Sequence, residues 1–258
     1  ISTFVNNDDI DIIQNPYRTL ILRILDNIKV SSLFNNIISI YLRGSLVYGK
    51  KFDWTDIDWI IVYEGTLNQP KLKSFFQHKT KMIPTIKHDI NSISLDEFWE
   101  NNETYNKTDV RSKTLLQIKY FSKHLYGKDF RDDIRDYDTY DLLYLQHNFK
   151  LYTPFPSLNH FIQHYIDNGI INDTESELQR ISKRCLRQLF NDYVFGKHLI
   201  YTHDIYYAHH FLVKYYPEYE DIFNDLFNFI IYSELYTRKR TDEGKILFEK
   251  LIEFCNTH

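Results

Sequence analysis

The sequence predicts an α+β protein, in which a small mixed β-sheet flanked by helices is followed by an α-helical bundle. Three observations carry this. Up to about Leu95, stretches with helical spacing alternate with short apolar runs of strand length. Beyond about Lys107 the spacing is helical almost throughout. The 258 residues, 43% of them hydrophobic and 17% aromatic, suffice to bury the core of one large domain or two small ones.

The elements follow in order. Gln14 to Val30 carries Leu20, Ile21, Ile24, Leu25 and Ile28 at helical spacing, with Pro16 near its start. Ile37 to Leu42 and Trp59 to Tyr63 read as short buried strands. Lys71 to Met82 reads as a polar helix with an apolar seam, and Thr85 to Ile93 as a third strand. Thr108 to Tyr126 reads as a helix closed by Gly127. Five more helical stretches follow: Tyr140 to Tyr152, Ser157 to Asn168, Glu175 to Phe195 ending at Gly196, His203 to Tyr215 ending at Pro217, and Glu218 to Thr237. Asp242 to Cys255 is the last. These predict a bundle of five to seven helices. The expected boundary separates a domain 1–128 from a domain 129–258.

Composition excludes several classes. With 21 Tyr, 19 Phe and 3 Trp the chain is too aromatic to be disordered. A net charge of −4 argues against a nucleic-acid coat, so no nucleic-acid partner is expected. No apolar run approaches the roughly 20 residues that span a bilayer, and no membrane partner is expected. The acidic opening, with Asp8, Asp9 and Asp11, predicts no signal peptide. Cys185 and Cys255 sit in apolar helical patterns and read as buried thiols of a reducing compartment, hence a cytoplasmic protein.

The chemistry concentrates in Tyr41-Leu42-Arg43-Gly44-Ser45, a gap of ten residues, and Asp56-Ile57-Asp58-Trp59-Ile60-Ile61-Val62. A strand ends at Leu42, and Gly44-Ser45 turns the backbone tightly. Glycine leaves room for a phosphate, and serine offers a hydroxyl and an N–H. Asp56 and Asp58 are i and i+2 of a strand, so both carboxylates share a face while Ile57 and Trp59 take the other. Paired carboxylates repel one another and call for cations. All-oxygen donors suit Mg²⁺, which completes its shell with water and substrate phosphates. The set is similar to a two-metal phosphoryl-transfer site.

Gly44-Ser45, the ten-residue gap and Asp56-x-Asp58 resemble the signature of the DNA polymerase β-like nucleotidyltransferases, closest to the streptomycin and spectinomycin adenylyltransferases. The family places a third carboxylate on a later strand, where Asp89 stands in this sequence. The stretch Tyr120 to Gly127, ending Leu125-Tyr126-Gly127, looks like the helix that closes the family's catalytic domain. Phe195-Gly196-Lys197, Thr202-His203-Asp204 and Tyr215-Tyr216-Pro217 look like its helical domain, although His203 stands where the family commonly has a lysine.

The resemblance implies an enzyme that moves a nucleoside monophosphate, AMP from ATP, onto a hydroxyl of a small acceptor such as an aminoglycoside antibiotic. It implies two Mg²⁺ ions on Asp56, Asp58 and Asp89, which are also the catalytic residues. Gly44, Ser45, Arg43, Arg187 and Lys197 are then candidates for the nucleotide, and Lys50, Lys51 and Arg184 are further cations near it. Trp99, Tyr105, Glu175 and Glu177 are candidates for the acceptor, expected in a cleft between the domains. Two other classes stay open: a nucleotidyltransferase that modifies protein or RNA in a toxin–antitoxin pair, and a non-catalytic nucleotide-binding module. The eleven histidines lack metal spacing. The aspartates from Asp132 to Asp141 read as a solvated face.

Overall fold

A computed structural model of the chain describes residues 10–48, 56–79, 86–104, 110–142, 154–168, 175–202, 204–232 and 240–258. Lys50, Lys51, Tyr105 and His203, and the expected helical stretches within 143–153 and 233–239, lie outside the described residues. The chain divides into two compact units, with the division between Asp138 and Thr139.

The first unit is built on a four-stranded sheet. Its strands are β1 (Ile37–Arg43), β2 (Ile57–Tyr63), β3 (His88–Ser94) and β4 (Lys123–Gly127), in the order β3-β2-β1-β4. β1 runs antiparallel to β2 and β4, and β2 runs parallel to β3. The sheet is therefore mixed, as the alternating pattern predicts. Both central strands are apolar along their middle because both faces are covered. Ile40, Leu42, Ile57, Trp59 and Ile61 share one core with α1 (Tyr17–Val30) and α2 (Gln69–Lys79). Helix α1 turns Tyr17, Leu20, Ile21, Ile24, Leu25 and Ile28 inward, a stripe of i, i+3, i+4 and i+7 contacts.

Helices α3 (Leu95–Thr104) and α4 (Val110–Phe121) complete the unit. A reciprocal cap opens α3: the Glu97 N–H donates to Ser94 Oγ at 3.2 Å, and Ser94 N–H donates to Glu97 Oε2 at 3.1 Å. The expected helix to Tyr126 is corrected here. It stops at Phe121, and Lys123–Gly127 pairs with β1 as an edge strand. Leu125 and Tyr126 suit either element locally, and the open edge of β1 decides between them. After β4 the chain folds back on the same sheet. Phe130 N–H donates to the Tyr41 hydroxyl at 2.7 Å, and burial pushes that phenol up to about 12.

The second unit is helical where it is described. It holds α5 (Leu158–Asp167), α6 (Glu175–Leu189), α7 (Ile205–Tyr215), α8 (Glu220–Ile231) and α9 (Arg240–Thr257). Leu178, Ile181, Leu186, Phe223, Leu226, Phe248 and Phe254 are buried in it. The expected stop at Gly196 is also corrected. Gly196 has helical dihedrals, φ −60° and ψ −32°. A wide π-type turn over Phe190–Phe195 carries α6 on to His198, and the helix ends at Leu199, which takes φ 56°. Cys185 is buried but Cys255 is partly exposed, and both thiols are free, so the pair of buried thiols is half realised. Burial pushes Cys255 up to about 11. Among the described residues no helix is long and apolar enough to cross a membrane.

Helix α7 begins on Asp204, a buried N-cap whose Oδ1 accepts from Tyr206 N–H at 2.7 Å. Asp204→Ala removes that acceptor and leaves the amide without it. Chemical denaturation should show a loss of about 1–2 kcal/mol, and Asp204→Asn should recover most of it.

Candidate functional site

The candidate site forms where β1 ends and β2 and β3 begin. Antiparallel pairing sets Arg43 opposite Asp58, and parallel pairing sets Asp58 beside Asp89. Residues paired across neighbouring strands point to one face. Arg43, Asp58 and Asp89 therefore form a row across three strands. The adjacent row, Leu42, Trp59 and Ile90, takes the opposite face, where Leu42 and Trp59 lie in the core. The i, i+2 reading of the sequence assigned Trp59 to that face. Asp56 is exposed and lies one residue before β2.

Gly44 takes φ +82°, and a Cβ on it would collide with the Asp58 carboxylate. The turn is tight because Asp58 needs the space, and the absent side chain lets backbone and carboxylate touch. Ser45 opens a short 3₁₀ turn, Ser45–Tyr48, anchored by buried Leu46 and Val47. Arg43, Gly44, Ser45 and Asp58 are thereby held by buried neighbours on both sides.

Arg43 is bound into the row. Its Nη2 donates to Asp89 Oδ2 at 2.5 Å and lies 3.7 Å from Asp58 Oδ1. The Arg43 side chain is 21% exposed and that of Asp58 25%, against 60% for Asp89.

His88 is a contributor that sequence reasoning passed over. Trp59 Nε1–H donates to His88 Nδ1 at 2.9 Å across β2 and β3. Burial pushes His88 down to about 4, so at neutral pH Nδ1 is free to accept. This bond braces the register that brings Asp89 beside Asp58. The only signal in the sequence was the adjacency His88-Asp89.

The other candidates fall elsewhere. Trp99 packs edge-on against Phe98 and Phe130 in the first unit. Arg184, Arg187 and Lys197 belong to the second unit. Arg187 is partly buried on α6. Lys197 Nζ donates to the Tyr216 hydroxyl at 3.0 Å, and that hydroxyl donates to the Tyr193 carbonyl at 3.2 Å, a carbonyl of the π-type turn. Glu175 and Glu177 lie on α6.

Asp56, Asp58 and Asp89 present hard oxygen donors, the kind Mg²⁺ takes. The donor chemistry fits that ion. Among the described residues, however, no three His, Cys, Asp or Glu side chains are gathered into a finished metal site.

Comparison with known proteins bears on the fold. No family model matches the chain, and no curated protein matches it. Among solved structures it is similar to spectinomycin adenyltransferase AAD(9) from Enterococcus faecialis, crystallised with ATP and spectinomycin, with a TM-score of 0.55 at 13% identity. The match covers 90% of this chain and 97% of that one. The chain therefore has an adenyltransferase-like fold.

Proposed function

We propose that this chain is a nucleotidyltransferase that moves AMP from ATP onto a hydroxyl of a small acceptor, in the manner of enzymes that inactivate aminoglycoside-type antibiotics. The observation that carries the reading is the row Arg43–Asp58–Asp89 beside the Gly44 turn. It occurs in a fold similar to that of a protein crystallised with ATP and spectinomycin.

The acceptor oxygen attacks the α-phosphorus, a new P–O bond forms, and the bond to the bridging oxygen breaks to release pyrophosphate. Gly44 makes the tight turn that seats Asp58, and with Ser45, which offers its hydroxyl and backbone N–H, it holds the triphosphate. Asp89, the most exposed carboxylate of the row, takes the proton of the attacking hydroxyl. Asp56, Asp58 and Asp89 would hold two Mg²⁺ ions, which supply positive charge to the α-phosphate and the leaving group. The nucleotide-binding set also takes in Arg43, Arg187 and Lys197, whose charges answer the triphosphate. In this reading residues 1–128 carry the chemistry and residues 129–258 the acceptor specificity.

The test is pyrophosphate release by the full chain with ATP across aminoglycosides, spectinomycin, total RNA and unrelated proteins. Release with a small hydroxylated amine alone supports the reading. Release driven by RNA or protein overturns the acceptor class, and nucleotide binding with no release overturns the activity. Asp89→Asn should lower kcat at least a hundredfold with little change in nucleotide affinity, because a base acts chiefly in the transition state. A change in KM for ATP alone would remove Asp89 from the chemistry.

A further inference from the structure

We infer that Arg43 is a resident counter-cation that holds Asp89 in the nucleotide-free protein and yields it when the triphosphate arrives. This makes metal binding depend on nucleotide, and it rests on the nucleotidyl-transfer reading above.

The geometry is asymmetric in a way that a structural ion pair does not require. Arg43 is rooted at the end of β1, 21% exposed, with its head turned along the row. Asp58 is held against Gly44, whose missing Cβ leaves it just enough space. Asp89 has the freedom, at 60% exposure, and its Oδ2 is drawn onto Arg43 Nη2 at 2.5 Å. The Arg43 Nε is buried and has no hydrogen-bond acceptor among the described residues. The resting grip therefore leaves one strong donor unused, and the oxygens of an arriving triphosphate are the kind of acceptor a guanidinium fork takes.

Charge points the same way. One guanidinium faces two carboxylates, Asp58 and Asp89, so the group keeps a negative excess that a divalent ion can answer. A guanidinium hydrogen bond and an ion cannot share the same Asp89 oxygen without repulsion. Free metal must therefore displace Arg43 from Asp89 and brings no acceptor of its own for it. A nucleotide brings phosphate oxygens that accept Arg43 as Asp89 is released. The two ligands are then coupled through one side chain, and the coupling is reciprocal. Arg43 is a positioning residue here, acting through Asp89.

The experiment titrates Mn²⁺, followed by its EPR signal, into the full nucleotide-free chain and again with a non-hydrolysable ATP analogue. Wild type should bind Mn²⁺ weakly alone and at least tenfold more tightly with the analogue. Arg43→Gln should bind Mn²⁺ at least tenfold more tightly than wild type without nucleotide, and the gain from the analogue should shrink. Arg43→Lys, which keeps the charge but loses the planar fork, should fall between them. It decides the matter if Arg43→Gln does not fold. A merely structural arginine would lower the melting temperature without tightening Mn²⁺. Asp58→Asn separates the two readings. Mn²⁺ binding that ignores Asp58 overturns the metal reading and the latch with it. Binding that needs Asp58 but is indifferent to Arg43 overturns the latch alone.

Discussion

Asp58→Asn is expected to lower AMP transfer by roughly a thousandfold, which corresponds to a loss of about 4 kcal/mol of transition-state stabilisation. Asp58 is the central carboxylate of the row, paired in register with Arg43 on one side and Asp89 on the other. The amide keeps the shape but removes the charge that would hold a cation against the α-phosphate. Folding should suffer little. The contact to Arg43 is long, 3.7 Å, and partly exposed, so its loss costs no more than about 1 kcal/mol. Relief of repulsion with Asp89 offsets part of that. Pyrophosphate release and melting temperature should therefore separate. A variant that retains full transfer would remove Asp58 from the site. One that melts far lower would make its role structural.

Gly44→Ala should damage both properties at once. The position holds φ +82°, which costs an L-residue about 1–2 kcal/mol. Its Cβ would also strike the Asp58 carboxylate, so either the turn opens or Asp58 moves. Together these should lower the melting temperature by about 5–10 °C and remove most of the transfer activity. Gly65→Ala is the control. Gly65 has φ +67° with nothing within 4 Å of the added Cβ, so it carries the backbone cost alone and should keep full activity. Equal behaviour of the two variants would mean that the contact with Asp58 carries no weight.

Much of this protein was legible in local sequence. Ile37 to Leu42 and Trp59 to Tyr63 are apolar runs too short for helices, and they form the two central strands with one and two residues added. The α1 stripe follows from spacing alone. The opposition of Asp58 and Trp59 follows from the two-residue period of a strand, and the Gly44-Ser45 turn from glycine chemistry. Each of these depends on a few neighbouring residues, so each leaves a mark in the chain.

Pairing between distant segments leaves no such mark, and there the tertiary structure decided. Lys123 to Gly127 became a strand because β1 offered an unpaired edge, not because its residues reject a helix. Gly196 stayed helical because the π-type turn before it carried the backbone through, and Leu199 ended the run instead. Spacing placed Asp89 on a later strand, but only the parallel register of β2 and β3, braced by Trp59 on His88, set it beside Asp58. The sequence showed Arg43 as a cation next to a turn. That it grips Asp89 depends on three strands meeting at one end of a sheet, a coincidence of positions that the folded core alone enforces.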